Sequence, residues 1–470
     1  MPEIAFGIGA YDNTSYGLPP VILENWYAEQ APDRPDKGVR LVPSPGATAF
    51  TALTTSGRGL FQSDGVISGE LIAAHGTSIK RINSAGTATA ITGSIAAGTD
   101  QVIFAASQTP ELVLNVGGIV YTVDSSNVTS FTWAGLSGGD VSDVIEINQR
   151  HLYLEDGTGR VWYSDRADAT TVQGTSFVTA ETEPDRLIAL MQLGDTLIFF
   201  GSQTYELWYD TGDTDIPLAP RAGGAIQMGI IGREAKAQVN GIGFFVRNDG
   251  AVCRLDGFRA TPVSTDPIEK MIADLSEANQ MLVSLTAYSE GKREFVHLSI
   301  PGRGDWFYDN TTNFWHRRRD LGQETYSYRY YQRAFGKQLA QATSDGDVVA
   351  LSPNVYTDRG LETRRVATSI LPVKNDFLRM ARLVIEGQSG VGLDGVGQGS
   401  DPKGMLRVAY DGRTFQEEYT ASLGKIGEYG YRPIYGPLGT ATPPVVVFEF
   451  AVSEPVGYTV DGATLNPARA

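Results

Sequence analysis

The sequence is poor in cysteine and histidine. Cys253 is the one cysteine among 470 residues, so no disulfide can form within a chain. The four histidines lie far apart in the sequence, and none has the spacing of a metal-binding pair. We therefore expect neither a disulfide-stapled fold nor a histidine metal centre, and the sequence predicts no cofactor.

Long apolar runs are also missing. No window approaches the 18 apolar residues that indicate a membrane-spanning helix. The N-terminal stretch MPEIAFGIGAYDNTSYG lacks a basic segment followed by an apolar run, so we expect no signal peptide. The sequence thus predicts a protein without stable membrane insertion.

Basic residues are also scarce relative to acidic ones. The chain has 38 basic and 54 acidic residues and a net charge of −16. Proteins that grip phosphates over a broad face are usually basic, so stable nucleic-acid binding is not expected. The imbalance lies in the first 352 residues, with 26 basic and 41 acidic side chains, whereas residues 353–470 hold 12 and 13.

Glycine, by contrast, is abundant and follows a repeating pattern. The 54 glycines predict many tight turns. An apolar strand, a glycine turn and a second apolar or aromatic strand recur at intervals of roughly 40 to 50 residues, the period of propeller blades. We predict a degenerate β-propeller of six or seven blades. The turns and second strands of the repeats are 75–83, 116–124, 156–165, 201–210, 248–257, 301–310 and, more weakly, 344–353.

The repeats suggest three segments. Residues 51–352 are predicted to form the propeller, and 353–470 a C-terminal β-rich platform domain resembling a small β-sandwich. Residues 1–50 are predicted to join that platform. The fold class is all-β with very little helix. The one clear helix signal is 266–275, with Asp266 as N-cap and Glu269 completing a capping box.

The glycine-rich segment 387–404 is the most conspicuous loop. It lacks the Gly-Lys-Ser/Thr ending of a phosphate-binding P-loop, and no helix signal follows it. We interpret it as a long, mobile surface loop that contacts a protein partner. Its predicted contact residues are Gly387, Gly390, Gly392, Asp394, Gly397 and Gly399.

Other candidate sites have simpler interpretations. Asp210, Asp213 and Asp215 could gather around Ca²⁺, but they do not match the EF-hand pattern, and a solvated turn is favoured. Asp411-Gly412 is interpreted as a hairpin turn rather than a sialidase Asp-box. Cys253 is expected to be a buried structural thiol. The sequence gives no positive sign of an enzyme. A glycosidase with a pair of catalytic carboxylates stays open, because the fold brings such a pair together and the sequence shows no characteristic spacing.

Residues 316–320, HRRRD, form the one basic run. Successive side chains of a strand point to opposite faces, so the arginines cannot all serve one pocket. Two interpretations stay open: a solvated edge, or pairing of Arg317, Arg318 and Arg319 with carboxylates of a neighbouring subunit.

Several segments, in order, resemble one known family. The blocks are LENWYAE (23–29), LVPSPGATAF (41–50), GRGLF (57–61), IAAHGTSIKRI (72–82), FFGSQTYELWYDTG (199–212), IQMGIIG (226–232), PIEKMI (267–272), VIEGQSGVG (384–392) and RVAYDGRTF (407–415). With these blocks the chain resembles the packaged-DNA stabilisation proteins of short-tailed phages, also called tail accessory factors, tail tubular protein B or tail nozzle proteins. The segment YRPIYGPLG (431–439) departs from the pattern, as does the glycine-rich loop.

The resemblance implies a structural virion protein rather than an enzyme. It implies a homohexameric ring that continues the DNA channel below the head-to-tail adaptor, retains the packaged genome and conducts it during ejection. With the adaptor as the implied neighbour, the contact residues of the glycine-rich loop are predicted to bind that ring. Tail fibres or tailspikes and a terminal needle or plug are the further partners implied. The expected location is the virion tail, after synthesis and assembly in the host cytoplasm. A propeller glycoside hydrolase or a glycan-binding propeller is the alternative.

Overall fold

A computed structural model describes residues 3–7, 9–11, 19–31, 38–107, 112–136, 140–180, 185–213, 216–374 and 376–466. The chain forms two compact units, each assembled from separated stretches of sequence. Unit 1 comprises Met1–Thr48, Arg303–Tyr326 and Leu351–Ala470, and unit 2 comprises Ala49–Gly302 and Ser327–Ala350. The sequence-based boundaries at 50 and 352 stay a prediction.

Five short strands begin the chain. The first four belong to unit 1, and the fifth enters unit 2 at Ala49. They are β1 (Glu3–Ile4), β2 (Leu23–Glu24), β3 (Trp26–Gln30), β4 (Val39–Pro43) and β5 (Gly46–Thr51).

Five four-stranded antiparallel sheets follow in unit 2, each with its strands in sequence order. The first is β6 (Gly57–Phe61), β7 (Leu71–His75), β8 (Ser78–Ile82) and β9 (Ala88–Ala90). The second is β10 (Ile103–Ala106), β11 (Leu112–Val116), β12 (Ile119–Val123) and β13 (Val128–Phe131). The third is β14 (Val141–Ile147), β15 (Arg150–Glu155), β16 (Arg160–Tyr163) and β17 (Phe177–Thr179). The fourth is β18 (Leu187–Leu193), β19 (Thr196–Gly201), β20 (Tyr205–Asp210) and β21 (Leu218–Ile226), and the fifth is β22 (Lys236–Val239), β23 (Ile242–Val246), β24 (Val252–Asp256) and β25 (Arg259–Pro262).

The predicted helix is present but begins differently from the prediction. Helix α1 spans Asp266–Ala273, and a second short helix α2 spans Glu277–Gln280. Thr265 rather than Asp266 occupies the N-cap position, because Pro267 suits the first turn and Thr265 is still extended. Glu269 accepts a hydrogen bond from the Ser264 hydroxyl at 2.6 Å instead of completing the predicted box. Ile268 and Ile272 are buried, as their spacing predicts.

The remaining strands of unit 2 supply two more sheet segments. Strands β26 (Ser284–Glu290) and β27 (Arg293–Ile300) form a hairpin, while β28 (Gly304–Asp309) and β29 (Phe314–Arg318) belong to unit 1. Strands β30 (Tyr328–Ala334), β31 (Lys337–Ala342) and β32 (Val348–Ser352) follow. Strand β5 lies next to β32, so the part of β5 in unit 2 completes the last sheet.

The first strands of the seven sheet segments surround the centre of unit 2. Strand β14 contacts β10 and β18, and β26 contacts β22 and β30, which also contacts β6. Hydrogen bonds link the two remaining pairs of adjacent first strands. Val102 N, just before β10, donates to Arg58 O of β6 at 2.8 Å, and the ammonium group of Lys236 in β22 donates to Leu190 O of β18. The ring is therefore continuous, and of the two predicted blade numbers seven fits unit 2.

The second and third strands of the sheets form the core of unit 2. Between the third and fourth sheets, for example, Leu152, Leu154, Phe199 and Trp208 are buried together. Strands covered on both faces read as continuous apolar runs, which is why the repeats are visible in the sequence.

Unit 1 is a β-sandwich. Its two main sheets have the orders β3-β4-β43-β37-β40, with β1 also paired to β43, and β28-β29-β2-β35-β42-β38-β39. Trp26 of the first sheet stacks on Phe450 of the second, with ring centroids 6.0 Å apart. The strands after β32 are β33 (Thr357–Asp358), β34 (Leu361–Glu362), β35 (Arg365–Pro372), β36 (Leu378–Met380), β37 (Leu383–Gly387), β38 (Lys403–Ala409), β39 (Tyr419–Ser422), β40 (Ile434–Tyr435), β41 (Gly439–Ala441), β42 (Val445–Val452) and β43 (Val460–Leu465).

Candidate functional site

The glycine-rich loop joins β37 to β38 and is hydrogen-bonded to the sandwich at several points. Leu393 N donates to Gly399 O at 2.7 Å, which closes the tip of the loop. Gly399 N donates to the Glu454 carboxylate at 2.9 Å, and the Ser389 hydroxyl donates to Tyr429 O at 2.7 Å. These hydrogen bonds attach the loop to the sandwich at several points, and the expected mobility of the loop stays a prediction.

The predicted loop residues divide into two groups. A Cβ on Gly387 would lie 2.1 Å from Thr459 O, and one on Gly392 would lie 2.8 Å from Ile426 N, so both permit close packing. Gly390 has a φ of +76° and faces the Tyr429 ring. Gly397 has no neighbour within 4 Å of an added Cβ, so the tip is open. Asp394, also at the tip, accepts a hydrogen bond from the next backbone N–H.

An exposed apolar surface surrounds this loop, and we call it the C-terminal patch. Gly390 and Gly392 pack against the segment that contains Ile426 and Tyr429, so the two stretches form one surface. Soluble proteins usually bury side chains of this size or scatter them singly. The patch consists of Leu393, Val396, Ile426, Tyr429, Tyr431 and Ile434, all at least 40% exposed.

The basic run does not form one surface. Arg318 is buried, donates to Pro45 O at 2.7 Å and lies 4.2 Å from the centre of the Tyr326 ring. Arg317 and Arg319 are partly exposed and reach Glu324 at 3.1 Å each. The predicted alternation is therefore present. Pairing with a neighbouring subunit stays a prediction. Because Arg318 is buried, only Arg317 and Arg319 are available for that role.

Arg319 also pairs with a buried carboxylate. Its Nε lies 2.6 Å from Oε1 of Glu24, which is almost fully buried. Burial raises the pKa of Glu24 above its ordinary value, and the hydrogen bond from Arg319 opposes that shift. This ion pair stabilises the contact between β2 and β29 within unit 1.

Polar contacts cross the centre of unit 2. Gln101 N, just before β10, donates to Glu234 at 2.9 Å just before β22, three sheets further along the ring. Arg233 lies 3.8 Å from Asp100 beside this contact. The centre of this unit is thus bridged by side chains.

A cavity of about 780 Å³ opens on unit 2 where the third, fourth and fifth sheets begin. Its lining includes the carboxylates of Asp140 and Asp156 and the guanidinium groups of Arg186 and Arg233. None of the described residues that line it is aromatic. It therefore lacks the flat apolar faces on which sugar rings pack.

The simpler interpretations fit the local geometry. Cys253 is fully buried, and burial raises the pKa of its thiol to about 11. Asp411 accepts hydrogen bonds from Arg413 N and Thr414 N, which lower its pKa to about 2 and mark a turn. Asp210 instead receives the Asn148 amide at 2.6 Å. Asp215 lies outside the described residues, among which no group of three potential metal ligands occurs.

Two sets of residues escaped the sequence-based reasoning. Ile426 and Tyr429 lie more than 30 positions after Gly392 and Gly390, on which they pack, and their only signal is an apolar content unusual for a turn-rich segment. Asp143 and Lys236 lie on first strands 93 positions apart in the sequence, so no local pattern pairs them.

These features define the class of the molecule. It is an all-β protein with a propeller unit and a sandwich unit, each stabilised by its own packing and buried polar contacts. Among the described residues, no helix is long and apolar enough to cross a membrane.

Comparison with known sequences gives the family. The model described as Bacteriophage P22 Gp10, beta-propeller matches residues 3–347, and the model described as Bacteriophage P22 Gp10, beta-sandwich matches residues 363–467. The chain belongs to this family of structural phage tail proteins, which confirms the resemblance inferred from the sequence.

A curated relative carries the name tail hub protein gp10 and comes from Salmonella phage P22. It is 28% identical over 220 residues, which make up 44% of this chain and 47% of the relative. The match thus spans about half the length of that relative.

Solved propellers are similar in fold at low identity. A catalytically inactive virginiamycin B lyase from Staphylococcus aureus has a TM-score of 0.44 and 12% identity, covering 66% of this chain and 98% of that chain. The propeller domain of Cps50 from Myceliophteria thermophila has a TM-score of 0.42 and 9% identity, covering 65% and 99%.

Proposed function

We propose that this chain is the subunit of a homohexameric tail nozzle in a short-tailed phage. The ring extends the DNA channel below the head-to-tail adaptor, retains the packaged genome and conducts it during ejection. The observation that carries the proposal is the family match, in which propeller and sandwich models follow each other along nearly the whole chain. Tail fibres or tailspikes and a terminal needle or plug are the other proposed partners.

The channel of this nozzle lies between copies of the chain rather than through one propeller. The bridge from Gln101 to Glu234 and the contact of Asp100 with Arg233 cross the centre of unit 2. Double-stranded DNA, whose major groove alone is about 12 Å wide, does not fit through such a centre. A ring of several copies supplies the wider lumen that the proposal needs.

The charge of unit 2 suits a lumen wall. This unit holds 31 acidic and 19 basic residues, whereas unit 1 holds 23 and 19. Acidic walls repel phosphates over about 8 Å at physiological salt, so DNA slides without being gripped. Carboxylates of unit 2 therefore line the lumen in this proposal, and DNA passes through it non-specifically.

Electron microscopy tests the proposal. The purified chain is imaged alone and mixed with the adaptor of the same phage, and the adaptor alone is the control. A sixfold tube that extends the adaptor is the expected result. Isolated monomers that never associate with the adaptor contradict the nozzle. The location in the virion tail is checked by labelling intact particles.

A propeller glycoside hydrolase or glycan-binding propeller is the second candidate. The cavity in unit 2 favours it, because Asp140, Asp156, Arg186 and Arg233 line that cavity. The absence of aromatic side chains among its described lining residues argues for the nozzle instead. Hydrolysis of a glycan panel by the wild type, lost in Asp140→Asn and Asp156→Asn variants, would reverse this preference.

A further inference from the structure

We propose that the C-terminal patch of one copy binds a second copy of this chain. The proposal rests on the proposed hexamer and names the surface through which its subunits meet. It assigns this surface to a subunit neighbour instead of the adaptor, the partner predicted from the sequence for the glycine-rich loop.

The first argument is the exposure of the patch. Val396 is fully exposed, Tyr429 is 78% exposed and Ile426 is 57% exposed. The six residues of the patch come from two stretches, 393–396 and 426–434, and Gly390 and Gly392, just before the first stretch, pack against Tyr429 and Ile426 of the second. Burying them in an interface removes this apolar area from water, which is the main favourable term in association.

The second argument is the fixed backbone beneath the patch. The Ser389 hydroxyl donates to Tyr429 O and Leu393 N donates to Gly399 O, so hydrogen bonds hold the backbone at Leu393 and Tyr429. Gly399 N is in turn fixed by Glu454. A surface ordered before binding loses little conformational entropy on binding.

The third argument is electrostatic and selects the occupant. Each copy carries a net charge of −16, so copies repel one another over most of their surface. The stretch 387–434 holds six acidic and five basic residues and is nearly neutral. Two copies that meet through this stretch therefore repel each other less than two copies that meet through the acidic unit 2.

The composition of the patch fits a permanent contact between subunits. Interfaces of obligate oligomers are more apolar than those of transient complexes. Tyrosine is also enriched at the energetic centres of interfaces, and the patch contains Tyr429 and Tyr431. Lys425 and Glu428 lie beside Ile426 and Tyr429, so a neighbouring copy can pair a carboxylate with the lysine and a basic side chain with the glutamate.

Substitutions in the patch test this proposal. Val396→Asp and Tyr429→Asp place a charge at its two most exposed positions. Val396→Ile and Tyr429→Phe are the conservative controls, and Ile216→Asp makes the same kind of change at a 66% exposed site in unit 2. Assembly is measured by sedimentation velocity, alone and with adaptor, and thermal unfolding checks that each variant folds.

The expected result is a loss of association confined to the patch. Both aspartate variants should weaken subunit association at least about 30-fold, the loss typical of an interface hot spot, while the three controls assemble like wild type. Aspartate variants that assemble normally overturn the proposal. So do variants that keep the ring but lose the adaptor, because the patch then binds the adaptor. A wild type that forms no ring in either condition refutes the nozzle itself.

Discussion

The ammonium group of Lys236 lies against the carboxylate of Asp143, 93 positions earlier in the chain. The same ammonium reaches Leu190 O, and the Asp143 carboxylate also accepts a hydrogen bond from Leu190 N at 2.7 Å. Three neighbouring first strands, β14, β18 and β22, are thus joined by one buried ion pair. This ion pair therefore links the third, fourth and fifth sheets of the ring.

Replacing Lys236 with Met should destabilise the chain strongly. Asp143 is fully buried, so the variant leaves an unpaired carboxylate in the interior. The expected loss is about 3–5 kcal/mol in the free energy of unfolding, measured by urea denaturation. A Lys236→Met, Asp143→Leu double variant is the control and should lose clearly less. Equal losses in both variants would show that the charge pair is not the cause.

Acid should destabilise the folded chain through its buried histidines. Burial lowers the pKa of His151 to about 4 and that of His316 to about 3, while the unfolded chain titrates near the ordinary value of about 6.5. Below pH 6.5 the unfolded state therefore binds protons that the folded state does not. Stability is fully present above pH 6.5 and falls between 6.5 and 4 by up to about 1.4 kcal/mol per pH unit for each histidine.

A His316→Phe variant isolates one of these contributions. Thermal unfolding across pH 4 to 7 should show a slope shallower by about one proton than in the wild type, because one buried histidine no longer takes part. An unchanged slope would mean that other groups dominate the acid response. The aromatic replacement keeps a ring beside Phe307, whose centroid lies 5.6 Å from that of His316.

Gly201→Ala should damage the fourth sheet. An added Cβ would lie 2.3 Å from the Asp185 carboxylate, which accepts hydrogen bonds from Gln203 N and Thr204 N. The crowding should cost about 1–3 kcal/mol, read from the midpoint of urea unfolding. Gly65→Ala is the matched control, since its Cβ meets nothing within 4 Å. A Gly201 variant as stable as this control would show that the turn adjusts without cost.

Cys253 should react with thiol reagents only when its sheet opens. The side chain is fully buried, and burial raises the pKa of the thiol to about 11, so little thiolate is present near neutral pH. Labelling of the native chain should therefore follow the unfolding equilibrium and speed up in urea. Rapid stoichiometric labelling without denaturant would contradict the buried position. A Cys253→Ala variant gives the background.

The strands that the sequence predicted are those buried on both faces. Strand β19, which contains Phe199 and Phe200, is entirely buried and reads as a run of apolar residues. The repeat covers only the second and third strands of the sheets, so first strands were missed, both the polar β22 (KAQV) and the apolar β18 (LIALMQL). The repeat and the fold class were predicted correctly.

The candidate surface was only partly predictable for a different reason. The glycine pattern revealed the loop, and its tip at Gly397 is open. Its apolar neighbours Ile426 and Tyr429 come from a later stretch that β38 and β39 separate from the loop. Only the folded sandwich brings these stretches together, so no local pattern could have indicated the patch.

The construction of unit 1 sets an order for folding on the ribosome. This unit needs residues from three separated stretches of the chain, and β43, which pairs with β4 and β37, follows all the other described strands in the sequence. The residues of unit 2 have all been synthesised once residue 350 has emerged, whereas the sandwich still needs β43 at Val460–Leu465. A nascent chain that stops between these two points therefore carries every strand of the propeller but lacks an inner strand of the sandwich.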